Sequence, residues 1–203
     1  MSTINIQSSE EETKYLKRFD IFTGMAGKED IVLETPRLLL REFLLSDAED
    51  MYALNSNWEV IQYTGDTSFE SLEAAREFLR NYDPYSKTGM GRWLVIRKSD
   101  KACLGWCGLK WHEGDWIDLG YRFFQEYWNQ GYATESSQYC LDYGFNELNL
   151  KEIFATVMPE NIGSVRVLEK LGFQFIKEIE EELMGSSLYY GLKKQDWESR
   201  KKN

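Results

Sequence analysis

Positive charge is in short supply in this chain of 203 residues: 24 lysines and arginines stand against 34 aspartates and glutamates, a formal net charge of −10. That deficit disfavours nucleic acid as a partner, because phosphate backbones are held by basic patches. It suits a cationic or amine-bearing substrate through long-range steering. Cysteine is scarce as well, with Cys103, Cys107 and Cys140 giving an odd count, and His112 is the single histidine. Cys103 and Cys107 stand four apart, so neither a zinc site nor a Cys–His nucleophile is supported and no metal is expected. Buried free thiols are the expectation. No apolar run reaches membrane length and no signal peptide is legible, so the expected location is the cytoplasm, with no membrane partner. G-x-G-x-x-G and the P-loop pattern are both absent, which counts against a nucleotide-binding oxidoreductase. No Pro-, Gly- or Ser-rich linker, repeat or low-complexity tract divides the chain, so one domain is the default.

Strands alternating with helices predict an α/β or mixed sheet covered on both faces. Residues 1–30 are polar and irregular and read as an N-terminal extension, within which 10–19 can form a short helix. The single domain then occupies 31–203. The spacing predicts a first core strand over 38–43, a helix from Asp47 to about Asn55, and a helix over 71–82 capped by Ser71. Strands over 93–98 and 103–111 are joined by a hairpin at Ser99-Asp100-Lys101. A strand over 117–124 precedes a helix over about 133–148. A strand over 153–157 leads to a helix from Asn161 that Gly172 ends. Strands over 173–181 and 188–192 close the sheet, turning at Met184-Gly185-Ser186.

The most informative segment lies between the strand over 117–124 and the helix after it: Trp128-Asn129-Gln130-Gly131-Tyr132-Ala133-Thr134-Glu135. A strand, a tight turn with little side chain and a helix N-terminus make an anion site, where free backbone N–H groups and the positive dipole end converge. That points to a phosphate-bearing ligand. A second segment, 161–173, begins Asn161-Ile162-Gly163-Ser164 and closes Leu171-Gly172-Phe173.

Together the two segments resemble motifs A and B of the GNAT superfamily of N-acetyltransferases. Gly131-Tyr132-Ala133 fits the second half of motif A, Gln/Arg-x-x-Gly-x-Gly/Ala, while Trp128 stands where that motif has Gln or Arg. The form W-x-x-G-Y-A-T-E is similar to the Rim-type branch, which acetylates ribosomal-protein N-termini. Glu34-Thr35-Pro36-Arg37-Leu38-Leu39-Leu40-Arg41 and Asp196-Trp197 are similar to the same branch. The resemblance covers about 31–197 and implies a mixed, mostly antiparallel central sheet with helices on both faces. It also implies acetyl-CoA as cosubstrate, direct attack by an amine in a ternary complex, and a homodimer.

Transfer to an amine needs a held thioester, a neutral amine, a donor for the developing oxyanion and a proton for the departing thiolate; proximity alone lowers such barriers by about 7–11 kcal/mol in favourable models. The resemblance implies a cofactor cradle in the amides of Gln130 to Glu135, with Asn129 beside them. It implies a bent strand whose main chain at Tyr121 and Phe123 pairs with the pantetheine arm, the N–H near Phe123 polarising the acetyl carbonyl. Asn161 is expected on that arm, although Asn is also a preferred N-cap. Arg166 or Lys170 is a possible partner for the ribose phosphate. An α-amine has a pKa near 8, so roughly a tenth is neutral at pH 7, and lysine fares far worse. Asp118 and Glu181 are the candidate bases. Asp118 and Arg122 share a face about 13 Å apart, so they do not pair within the strand. Ser164 is the candidate partner of the sulfur and Tyr190 a candidate acid. A protein or peptide N-terminus is the preferred acceptor. Small amines (polyamines, amino acids, aminoglycosides) and a non-catalytic acyl-CoA-binding sensor are the alternatives.

Overall fold

The computed structural model describes residues 31–114, 116–181 and 185–201. The expected extension over 1–30, with its helix over 10–19, lies outside the described residues, as does Met184 of the expected last turn. Eight strands form one sheet. They are β1 (Ile31–Glu34), β2 (Leu38–Arg41), β3 (Gly91–Arg97), β4 (Cys103–His112), β5 (Trp116–Phe123), β6 (Glu152–Val157), β7 (Gln174–Glu181) and β8 (Gly185–Lys193). Their order across the sheet is β1-β2-β3-β4-β5-β6-β8-β7. Every neighbouring pair is antiparallel except β5 and β6, which run parallel. The helices are α1 (Ala48–Ser56), α2 (Trp58–Ile61), α3 (Leu72–Asn81), α4 (Tyr85–Thr88), α5 (Tyr132–Asp142), α6 (Ile162–Leu171) and α7 (Lys194–Arg200). The expected mixed sheet with helices on both faces is therefore what the chain builds.

Side chains alternate across a strand, so β4 reports both faces of the sheet. Trp106 packs on one face against α1, α2 and α3; this is the α1 face. Cys107 points the other way, its sulfur 3.7 Å from that of Cys140 in α5; this is the α5 face. Cys107 and Cys140 are buried free thiols, and Cys103 is only partly buried. The main core lies on the α5 face, where Leu40, Trp93, Leu109, Leu141, Phe145 and Ile153 are fully enclosed. Each such side chain contributes about 1.5–3 kcal/mol on burial.

The structure departs from the sequence pattern in a few places. The strand expected over 38–43 stops at Arg41, whose guanidinium grips the Asp47 carboxylate with two bonds of 2.7 Å. That same carboxylate accepts from the Leu44 amide at 2.7 Å and so starts the helical stretch with a tighter turn at Leu45–Asp47. Ser71 caps α3 as expected, accepting from the Ala74 amide. The helix expected over 133–148 is α-helical to Asp142 and continues as a wider π turn, Tyr143–Glu147.

Candidate active site

Strands β5 and β6 meet at Asp118↔Phe154, close to the start of both. Beyond that pair, Leu119–Phe123 and Ala155–Val157 form no ladder with each other, which leaves a gap between two parallel strands. The Phe124 amide donates to Leu104 in β4, and the Arg122 carbonyl also points at β4, crowding Gly105. N–H and C=O directions alternate along a strand, so the main chain of Tyr121 and Phe123 faces the gap. Both residues were expected there. The Phe123 carbonyl is already taken: the Trp128 indole donates to it at 2.8 Å. Trp128, in place of the motif's Gln or Arg, thus pins the end of β5.

The open end of the gap leads to the start of α5. Gly131 is its N-cap with φ +81°, a left-handed conformation that a side chain makes costly. No side chain caps this end, and the first intrahelical bond is Glu135 N–H to Gly131 C=O. The amides of Tyr132, Ala133 and Thr134 therefore point outward unspent, together with the positive end of the helix. Asn129 precedes them with φ +59°. The Gln130 carbonyl accepts from Arg37 at 3.1 Å.

Glu135 leaves the expected cradle. Its amide is spent inside the helix, and its carboxylate accepts from Thr35 Oγ1 at 2.6 Å, Arg37 N at 3.0 Å and Arg37 Nε at 2.6 Å. Burial alone would raise this carboxyl, but the bonds from Thr35 and Arg37 outweigh it and hold it below its ordinary value. The Thr35–Arg37 segment and the T-E of the motif are thus two halves of one latch. Arg37 also lies over the Tyr132 ring, 4.4 Å from its centroid.

The closed end of the gap is polar on the α1 face. Arg92 reaches from β3 across β4 and donates to Gly108 O at 2.6 Å, Asp118 O at 3.2 Å and Asp118 Oδ2 at 2.5 Å. Gly120 makes this crossing possible, since a Cβ there would sit 2.6 Å from the guanidinium carbon. Asp118 Oδ1 meets His112 Nε2 at 2.7 Å. Burial would raise Asp118, yet the Arg92 charge and the His112 bond outweigh it and keep its pKa low. Arg122 is engaged elsewhere, with Asn55 at 2.5 Å and with Asp66. The expectation that Arg122 does not neutralise Asp118 holds, but Arg92 does so instead. Sequence spacing offered no sign of that pair, 26 residues apart, because only the β3–β4–β5 register brings it together.

The far wall carries the remaining candidates. Asn161 caps α6 through Oδ1, which accepts from the Ser164 amide at 3.2 Å. The Tyr121 hydroxyl, its pKa raised by burial, donates to the Ser164 carbonyl at 3.1 Å, tying β5 to α6. Tyr190 is buried on the α5 face, edge-on to Phe175 at 5.9 Å. Glu181 lies on the α1 face opposite Gly185, about 10 Å along β7 from Glu178, which shares the level of Leu188 and of Val157 at the end of β6. Among the described residues Glu181 Oε2 is buried without a partner, as is the hydroxyl of Ser187, which is 0% exposed and stands diagonally across the β7–β8 ladder. Arg166 and Lys170 lie on α6. A surface depression of about 540 Å³ lined by Asn149, Lys151, Glu152 and Lys193 sits at the other end of β6 and β8 and shares no residue with the gap.

A slot between two parallel strands that opens onto an uncapped helix start is an arrangement suited to an extended, phosphate-bearing ligand. Residues 37–174 match the family model described as the acetyltransferase (GNAT) domain, and the chain belongs to that family. It is 35% identical over 145 residues to a protein named uncharacterized N-acetyltransferase p20 of Bacillus licheniformis, covering 70% of this chain and 82% of the relative. It is 26% identical over 162 residues to a spermidine N(1)-acetyltransferase of Vibrio cholerae, covering 78% and 91%. Among solved structures, a GNAT-family acetyltransferase of Bacillus anthracis superposes with a TM-score of 0.70 at 29% identity, covering 80% of this chain and 98% of that one. The protein is an N-acetyltransferase of a family that uses acetyl-CoA.

Proposed function

We propose that this protein transfers the acetyl group of acetyl-CoA to a primary amine by direct attack, with a protein or peptide N-terminus as acceptor. The observation that carries the reading is the gap: main chain of Tyr121 and Phe123 on one side, three unspent amides at its mouth. The Tyr132, Ala133 and Thr134 amides hold the pyrophosphate, and the arm pairs along Phe123 and then Tyr121. A main-chain N–H of β5 polarises the acetyl carbonyl. Ser164, on the first turn of α6, hydrogen-bonds the sulfur, and Asn161 keeps that turn in place. Helix α5 fills the face through which the cosubstrate enters, so the amine arrives from the α1 face, where Glu181 offers a carboxylate oxygen to a cation.

The preference for an N-terminus rests on the Rim-like segments, Glu34-Thr35-Pro36-Arg37 and W-x-x-G-Y-A-T-E. A polyamine acceptor is the second reading, favoured by the likeness to the spermidine enzyme. Thiol release from acetyl-CoA, measured against N-terminal peptides, spermidine and spermine, separates them. Turnover on peptides alone supports the first reading and turnover on polyamines alone the second. Calorimetric binding of acetyl-CoA with no turnover on any amine overturns both.

A further inference from the structure

His112 is the single histidine of the chain and stands at the end of β4, on the α1 face. Its ring stacks on Trp116 at 4.0 Å and 9°. Its Nε2 meets Asp118 Oδ1 at 2.7 Å, and the side chain remains 29% exposed. An ionised carboxylate only accepts, so Nε2 carries a hydrogen, and in the neutral ring Nδ1 then keeps its lone pair. Asp118 cannot turn away, because Arg92 holds its other oxygen and its carbonyl. The arm that pairs with Phe123 and then Tyr121 runs from the phosphate cradle toward the closed end of the gap. Its sulfur is therefore the end that approaches Asp118↔Phe154, on the side from which the amine arrives.

We propose that His112, oriented by Asp118, accepts the proton of the incoming ammonium, and that Asp118 is a positioning residue rather than the base. This rests on the acetyl-transfer reading above. The ammonium gives one proton to Nδ1. The freed lone pair attacks the thioester carbonyl carbon, the C–N bond forms, and the C–S bond breaks with its electron pair on sulfur. A second nitrogen proton passes to the thiolate, and His112 returns its proton to solvent. The sum is ammonium plus thioester to amide, thiol and one proton. The charged and titratable groups around the imidazole are Asp118 on β5, Arg92 on β3, Tyr82 at the end of α3, and Lys110 and Glu113 on its own hairpin; β6 presents Phe154.

The test combines pH profiles of kcat/KM for wild type, His112→Gln and Asp118→Asn with ¹⁵N NMR of the single imidazole. His112→Gln is expected to lower kcat/KM by about 10²–10⁴-fold and to abolish the acid limb, with calorimetric affinity for acetyl-CoA unchanged. The wild-type spectrum, which needs no variant, is expected to show the Nε2–H tautomer, and Asp118→Asn to mix the two. An active wild type whose His112→Gln variant matches it in rate and acid limb overturns the inference alone, as does an Nδ1–H spectrum. A wild type that binds acetyl-CoA but acetylates no amine overturns the acetyl-transfer reading and this inference with it.

Discussion

The two walls of the gap are built differently. On the β5 side, polar side chains tie the strand to its surroundings at every level. Arg92 and His112 hold Asp118, Arg122 reaches Asn55 and Asp66, and Trp128 holds the Phe123 carbonyl. The latch from Thr35 and Arg37 to Glu135 fixes the helix that follows. On the β6–β8–β7 side, the α1 face is held by rings: Phe154 stacks on Tyr189 at 5.2 Å, with the Lys177 ammonium over the same Tyr189. There two polar atoms, Glu181 Oε2 and Ser187 Oγ, are buried without partners among the described residues; on the β5 side Arg122 Nε is too, although its other nitrogens are engaged. The β5 wall, proposed above to pair with the pantetheine arm, is braced against movement, and the β7–β8 end of the other wall keeps hydrogen-bonding capacity in reserve. Stability and activity should therefore separate between the walls.

Arg92→Leu should be the most disruptive change, because it strands a buried carboxylate and costs about 3–5 kcal/mol at pH 7. Asp118 is depressed in the folded state, so its contribution is present above the unfolded value near 3.9 and is lost as pH falls through the folded one. In the variant Asp118 loses the cation and burial raises it, so the gap between variant and wild type should narrow on acidification. Urea melts at pH 7 and pH 4 check both the size and the sign. Glu135→Gln should cost about 2 kcal/mol by unfastening Arg37, and should weaken acetyl-CoA binding by calorimetry as the Gly131 turn loosens. Trp128→Phe keeps the ring but drops the bond to Phe123 O. The expected loss is about 1 kcal/mol, with a modestly raised KM for acetyl-CoA. Glu181→Ala should leave the melting temperature unchanged or higher while raising KM for the amine. A clear loss of stability there would erase the distinction between the walls.

Much of this could be read from the residues in order. The turn and helix start at 128–135, the strand before them and the cap at Asn161 each depend on neighbours within a dozen positions, and local pattern carries such features. Edge strand β1 was missed because it is only partly buried and shows no clean alternation. Helices α2 and α4 span four residues each, too few for a helical period to show. What order along the chain conceals is pairing at long range. Asp118 was legible as a candidate, but its two partners depend on cross-strand register. His112, which the sequence supports neither as a zinc ligand nor as half of a Cys–His nucleophile, acquires chemistry only beside Asp118. Thr35 and Arg37 were noticed as a signature, yet their purpose lies 98 to 100 residues away at Glu135.

That separation has a consequence for how the protein comes into being. A ribosome adding 5–20 residues per second delivers Glu135 roughly 5–20 s after Thr35 and Arg37 have left it. During that interval the β1–β2 turn has no carboxylate to close on. The proposed phosphate cradle is thus assembled late in synthesis, and a nascent chain halted before α5 should remain unable to retain acetyl-CoA.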